Sequence, residues 1–155
     1  MGIGDIIING ALDFKMRSSY RSLDDLLILR PFPQVASGGK DLLSMRKDYR
    51  EEMISKAGIA IFIFGNKLED GIIIDSAGME DEFEICIKKN VIPIPVGATG
   101  SISKKLWKKV SENLNKYYPN DRNLFNAIEE IGNESASPEE LTQNILKTIE
   151  ILQKI

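Results

Sequence analysis

The chain has 155 residues, 43% of them hydrophobic, a length that suits one domain. It carries 20 basic against 23 acidic residues, so a net charge of -3 excludes a grip on nucleic acid through overall positive charge. With no histidine and one cysteine, His-based acid–base chemistry, Ser-His-Asp triads, His or Cys metal sites and an internal disulfide all fall away. The longest apolar run, Ala57 to Phe64, is strand-sized rather than membrane-spanning, and the N-terminus lacks the basic region of a signal peptide. No membrane partner is expected, and a free thiol fits a reducing, cytoplasmic home.

Gly2-Ile-Gly-Asp5 predicts a glycine turn leading into a helix from Ile6 to Met16. Leu26 to Leu29 is a short buried-strand candidate stopped by Pro31 and Pro33. Gln34 to Lys40 reads as a loop, and Ser44 to Lys56 as a helix whose apolar face is Met45, Tyr49 and Met53. Gly58 to Phe64 is the clearest strand, β-branched and aromatic, as suits a strand covered on both faces. Leu68 to Ala77 reads as a loop with an apolar stretch of its own.

From Gly78 an acidic helix start, Glu80-Asp81-Glu82, leads to Lys88-Lys89, charges that complement the helix dipole. Val91 to Val96 is a second strand; Pro93 and Pro95 cannot donate to a ladder, so it is an edge strand or a twisted strand end. Gly97-Ala-Thr-Gly100 is a loop, Leu106, Val110, Leu114 and Tyr117 mark a helix, and Leu124 to Ile131 is a short helix closed by Gly132. Ser137, Pro138 and Glu140 form a capping box before a helix with the stripe Leu141, Ile145, Ile149 and Leu152.

Strands alternating with helices predict an α/β fold, a Rossmann-like parallel sheet flanked by helices. In such sheets ligands bind beyond the carboxyl ends of the strands. Three segments qualify: Gly65-Asn66-Lys67, Gly97 to Gly100, and the approach to Gly78. Helix starts at Gly4 and Gly78 offer N–H groups to an anion. Arg46 and Arg50 lie one turn apart, Lys67 closes the main strand, and Glu82 can accept from ribose hydroxyls. Together they suit a phosphate-containing nucleotide. Each also has a plainer reading: Gly2-x-Gly4 as a helix entry, the arginines as a solvated face or partners of Glu51 and Glu52, Lys67 as a turn lysine, Glu80 to Glu84 as a dipole-friendly start. Cys86, Trp107, Tyr117 and Tyr118 read as packing residues.

The succession Gly58 to Lys67, Ser76-Ala-Gly-Met-Glu-Asp-Glu-Phe83 and Val91 to Gly100 resembles the SLOG superfamily, the Rossmann-like group that includes lonely-guy phosphoribohydrolases and nucleotide-sensor domains. It resembles more closely the C-terminal SLOG domain of Thoeris anti-phage effectors, and the likeness covers most of Gly2 to Val110, the C-terminal helices being less diagnostic. The resemblance implies that residues 1–155 are one SLOG-like domain, the C-terminal portion of a larger protein with a sirtuin-like NADase domain upstream. It also implies a ligand, a cyclic ADP-ribose isomer, and no catalysis in the domain itself. Ligand contacts are implied at Arg50, of Arg-Glu-Glu-Met-Ile; at Lys67, of Phe-Gly-Asn-Lys; and at Glu82, of Glu-Phe. Gly78, Gly97, Thr99, Gly100 and Gly4 complete the expected pocket.

Two departures matter. The phosphoribohydrolases carry Pro-Gly-Gly-x-Gly-Thr-x-x-Glu; here the threonine is Met79 and Pro-Gly-Gly is absent, which argues against hydrolase chemistry. The alternative, a nucleoside monophosphate phosphoribohydrolase with Glu82 as acid–base group, stands as the second expectation, and an oligomerisation piece with an empty cleft as the third. The family's first two strands and the helix between them are also missing. Loss of a central strand leaves unpaired edges, so a homo-oligomer is expected.

Overall fold

A computed structural model describes residues 3–19, 22, 27–30 and 32–154. The chain divides into two compact units, Met1–Leu42 and Leu43–Ile155. The first contains α1 (Ile3–Arg17), with Asp5 in its first turn and Lys15 and Arg17 in its last. The helix begins earlier than expected, so Gly4 lies inside its first turn rather than in a turn before it. There its N–H is one of the four that have no intrahelical partner in any helix. Gly2 and Leu26 lie outside the described residues. The expected strand at Leu26 to Leu29 is not found: residues 27–30 have no regular structure, and Ile28 and Leu29 are exposed. An apolar run makes a strand only where a neighbouring strand takes up its N–H and C=O groups.

The second unit, which takes up α2 from its second residue, runs α2 (Leu42–Ile54), β1 (Ile59–Phe62), β2 (Asn66–Glu69), β3 (Ile72–Asp75), α3 (Ala77–Lys89), β4 (Ile92–Pro95), a 3-10 turn (Gly97–Thr99), α4 (Ser101–Ser111), α5 (Leu114–Tyr117), α6 (Arg122–Glu130) and α7 (Pro138–Leu152). β1 and β4 pair in parallel, Ile59 opposite Ile92 and Phe62 opposite Pro95. The prolines explain themselves in this register. Ile92 N–H donates to Gly58 O at 3.0 Å and Val96 N–H to Phe62 O at 2.9 Å, so the donors facing β1 come from even-numbered residues. Pro93 and Pro95 turn their missing donors to the other side, which makes β4 an edge by its chemistry. Tyr118 Oη donates to Pro93 O on that side at 2.7 Å.

α3 and α4 link and follow the two strands and pack on them. Phe83, Ile94, Val96, Ile102, Val110, Leu124 and Ile128 are fully or almost fully buried, and Phe62 meets Phe83 edge-on with ring centroids 5.8 Å apart. Cys86 is buried in this core, as its place on the Phe83 face predicts. Burial raises its thiol to about 11. Trp107 is a packing residue too, its indole N–H donating to Ile128 O at 2.7 Å. Asn90, in the left-handed region at φ 56°, caps α3. The Ser137–Glu140 capping box forms as expected, with Pro138 at the helix start.

Two elements differ from expectation. The stripe Leu106 to Tyr117 is broken into α4 and α5 rather than one helix. The expected loop at Leu68 to Ala77 contains an antiparallel hairpin, β2 with β3, Leu68 opposite Ile73. Its tip, Asp70 (φ 50°) and Gly71 (φ 80°), has the two positive φ angles of a type I′ turn. No helix among the described residues is long and apolar enough to cross a membrane.

Candidate functional site

The parallel pair fixes where a site can form. β1 and β4 end together, and the helices that follow begin at this same end. The connections are tight. Phe64 N–H donates to Thr99 Oγ1 at 2.8 Å, and Thr99 Oγ1 in turn donates to Val96 O at 2.7 Å. Phe64 O accepts from Ser103 N–H at 2.9 Å, within the first turn of α4. Gly65 O accepts from Ser76 N–H, the residue before α3, at 2.8 Å. The Ser103 hydroxyl lies 2.7 Å from Phe62 O and 2.9 Å from Val96 O, so one buried side chain clamps both strand ends.

This junction concentrates unusual backbone. Phe64 (φ 59°) and Ser101 (φ 49°) are non-glycine residues in the left-handed region, beside Gly65 (φ 98°) and Gly100 (φ 79°). Such conformations persist where surrounding bonds over-determine them, and they gather at functional sites. At Gly65 the close approach is also steric: a Cβ there would lie 2.7 Å from both Met79 Sδ and Ile102 Cβ.

The first turn of α3 brings in Gly78, and the next turn Glu82. Arg50 reaches across from α2, its Nε donating to Glu82 Oε1 at 3.1 Å. Both side chains are largely covered, 16% exposed for Arg50 and 28% for Glu82. The guanidinium lies over Gly78, where a Cβ would stand 3.2 Å from Cζ and closer still to Nη2. Burial holds the Glu82 carboxyl above the ordinary glutamate range; the Arg50 hydrogen bond and charge pull it down without cancelling that, and Asp81 adds a smaller upward push. The site therefore holds a carboxylate and a guanidinium, both poorly solvated and hydrogen-bonded to each other.

The remaining predicted residues distribute as follows. Thr99 and Gly100 stand at the junction itself. Lys67 is on β2, exposed, with its ammonium 3.1 Å from Glu69 Oε2 on the same face of the hairpin. The hairpin springs from the Gly65–Ser76 bond, so Lys67 is carried by a projection of this junction. Gly97 is buried, and its missing Cβ makes room for Trp107, whose Cγ would be 2.6 Å away; its placement is a packing one. Gly4 belongs to the first unit. Arg46 lies along the α2–α3 face, in a groove of about 300 Å³ with Lys47, Asp81, Glu84 and Lys88. Phe64 and Ser103 emerge only from the structure, and so does the packing of Met79 against Gly65. A phenylalanine directly before Gly65-Asn66 at the end of a strand is the one sequence signal that points to the first of them. Among the described residues no three His, Cys, Asp or Glu side chains gather to hold a metal ion.

Residues 1–152 match the family model described as the Sir2- and TIR-associating SLOG family, STALD. The chain belongs to the STALD family. Its SLOG relatives include proteins named NAD(+) hydrolase ThsA. That of Cytobacillus dafuensis is 41% identical over 153 residues, covering 99% of this chain and 31% of the relative. That of Bacillus cereus (strain MSX-D12) is 40% identical over 153 residues, 98% of this chain and 31% of the relative. That of Enterococcus faecium is 34% identical over 155 residues, 99% of this chain and 31% of the relative. The STALD chain thus spans about a third of the length of these relatives. The small parallel sheet flanked by helices accords with a Rossmann-like SLOG fold.

Proposed function

We propose that the chain is the regulatory nucleotide-sensing module of a Thoeris-type anti-phage NADase, and that its ligand is a cyclic ADP-ribose isomer. The observation that carries this reading is the Arg50–Glu82 pair laid over Gly78 at the first turn of α3, beside the carboxyl ends of two parallel strands. Anions bind where helix N–H groups and a fork of guanidinium donors meet. In the free chain Glu82 occupies the fork. A diphosphate takes over the guanidinium, and the released carboxylate accepts from ribose hydroxyls. Lys67, on the hairpin, adds a mobile-stemmed point charge as the ligand seats.

This exchange of partners gives the signal a physical form. The pair joins α2 to α3, so replacing a direct bond with a bridging ligand changes how those helices are held. Ligand binding shifts the population only by its differential affinity for the two arrangements. In a protein of the relatives' length the recipient is a sirtuin-like NADase domain upstream, and the STALD domain itself performs no chemistry. A homo-oligomer fits the same scheme, since among the described residues β1 pairs with β4 alone.

Calorimetric titration with cyclic ADP-ribose isomers tests the assignment. Arg50→Ala and Lys67→Ala should each weaken binding by about 1.5–3 kcal/mol, the worth of a charge-assisted hydrogen bond. Near-normal affinity in both variants defeats the phosphate site. Release of free base from nucleoside monophosphates, abolished by Glu82→Gln, would establish the phosphoribohydrolase instead.

A further inference from the structure

The residues assigned so far address phosphate and ribose. None of them offers an apolar surface to a purine. We infer that Phe64 is that surface: its ring is the platform on which the adenine of the ligand stacks. The inference rests on the nucleotide reading above and deepens it by naming the base subsite.

The argument begins with what Phe64 does not do. Its neighbour Phe62 is buried and meets Phe83 in the core, whereas Phe64 is 43% exposed and stands outside the core. Its backbone lies in the left-handed region at φ 59°, where a glycine would sit without strain. The next residue is a glycine in that region, so this turn is already built for such backbone. Packing does not require the ring and the backbone disfavours it.

Yet the position is held firmly. Phe64 N–H is tied to Thr99 Oγ1 at 2.8 Å and Phe64 O to Ser103 N–H at 2.9 Å. Those bonds fix the Cα–Cβ direction from both sides, between the ends of β1 and β4 and the start of α4. A strained residue fixed by bonds from two elements, with a large apolar side chain left open at the ligand end of a parallel sheet, is arranged for contact with a ligand. The complementary chemistry is a flat π-face. Cyclisation of an adenine nucleotide leaves both faces of its ring system free, and stacking needs no hydrogen-bond code.

The test uses the 155-residue chain with Phe64→Gly and Phe64→Trp, titrated with cyclic ADP-ribose, AMP and inorganic pyrophosphate. Phe64→Gly removes the ring and relieves the backbone, so its melting temperature should equal or exceed that of the wild type. Affinity for adenine nucleotides should fall about 5- to 150-fold, the range of one base–aromatic stack. Pyrophosphate affinity should be unchanged, and Phe64→Trp should retain adenine binding. Wild-type affinity of Phe64→Gly for the adenine ligands overturns the inference, as does an equal loss for pyrophosphate. If the wild type binds AMP but no cyclic isomer, the sensor reading fails while the stack is still decided by AMP. If it binds no adenine nucleotide, both fall.

Discussion

Gly78→Ala separates the site from the fold. Gly78 is the second residue of α3 and its φ is not in the left-handed region, so alanine suits the backbone there. Replacing a helical glycine by alanine stabilises by about 0.5–1 kcal/mol. Opposing this, the new methyl occupies the space of the Arg50 guanidinium, 3.2 Å from Cζ. What gives way is the far end of a flexible side chain rather than backbone. Displacing it loosens a part-buried hydrogen bond between charged groups, worth about 1.5–3 kcal/mol if lost outright, of which a shifted arginine keeps a part. The two effects nearly cancel, leaving stability within about 1 kcal/mol of wild type, a shift of some 2–4 °C at most in a chain of this size. Binding has no such compensation. With the fork misplaced, affinity should fall by the worth of a charge-assisted hydrogen bond, about 1.5–3 kcal/mol, or roughly 10- to 150-fold. Calorimetric titration and a thermal melt of the same sample read the two quantities. A Gly78→Ala protein that melts normally and binds normally refutes the placement of Arg50 over α3 in the ligand site; a melt lowered by 10 °C refutes the claim that the arginine moves freely.

Three further outcomes follow from particular contacts. Tyr118→Phe leaves the buried Pro93 carbonyl without its donor and should destabilise the chain by about 1–3 kcal/mol, read as a lowered denaturant midpoint. Because burial raises the Glu82 carboxyl, the folded chain holds more protons than the unfolded one between the ordinary glutamate value and the raised one. Its contribution to stability is therefore fullest below that window and declines as the pH rises through it, while binding that needs the carboxylate strengthens over the same rise; Glu82→Gln should flatten both profiles. Cys86, buried with its thiol pushed up to about 11, should resist maleimide labelling in the native chain and react on unfolding.

The parts of the fold that were legible in the sequence are those governed by local rules. β1 reads from a continuous β-branched run, the edge position of β4 from Pro93 and Pro95, and the start of α7 from Ser137-Pro138 and Glu140. The hairpin was also within reach: Asp70-Gly71 between Asn-Lys-Leu-Glu and Ile-Ile-Ile-Asp is a hairpin signal, masked by an apolar stretch without alternation. The strand expected at Leu26 to Leu29 failed because pairing is not a local property. The site divides in the same way. Arg50 and Glu82 are 32 residues apart in the chain, and no spacing rule joins them; the family resemblance named both, and the structure shows the bond. Phe64 was hidden because its type suits a strand, and only its φ and exposure set it apart from Phe62. Gly97, expected in a pocket wall, owes its smallness to Trp107.

The most direct measurement is calorimetric titration of the wild-type chain, alongside Arg50→Ala, with each cyclic ADP-ribose isomer. Saturable one-site binding of an isomer by the wild type, weakened at least tenfold in Arg50→Ala, is the expected result. Absence of heat and of any melting shift with every isomer, or equal binding by the two proteins, would contradict a nucleotide-sensing site built on the Arg50–Glu82 pair.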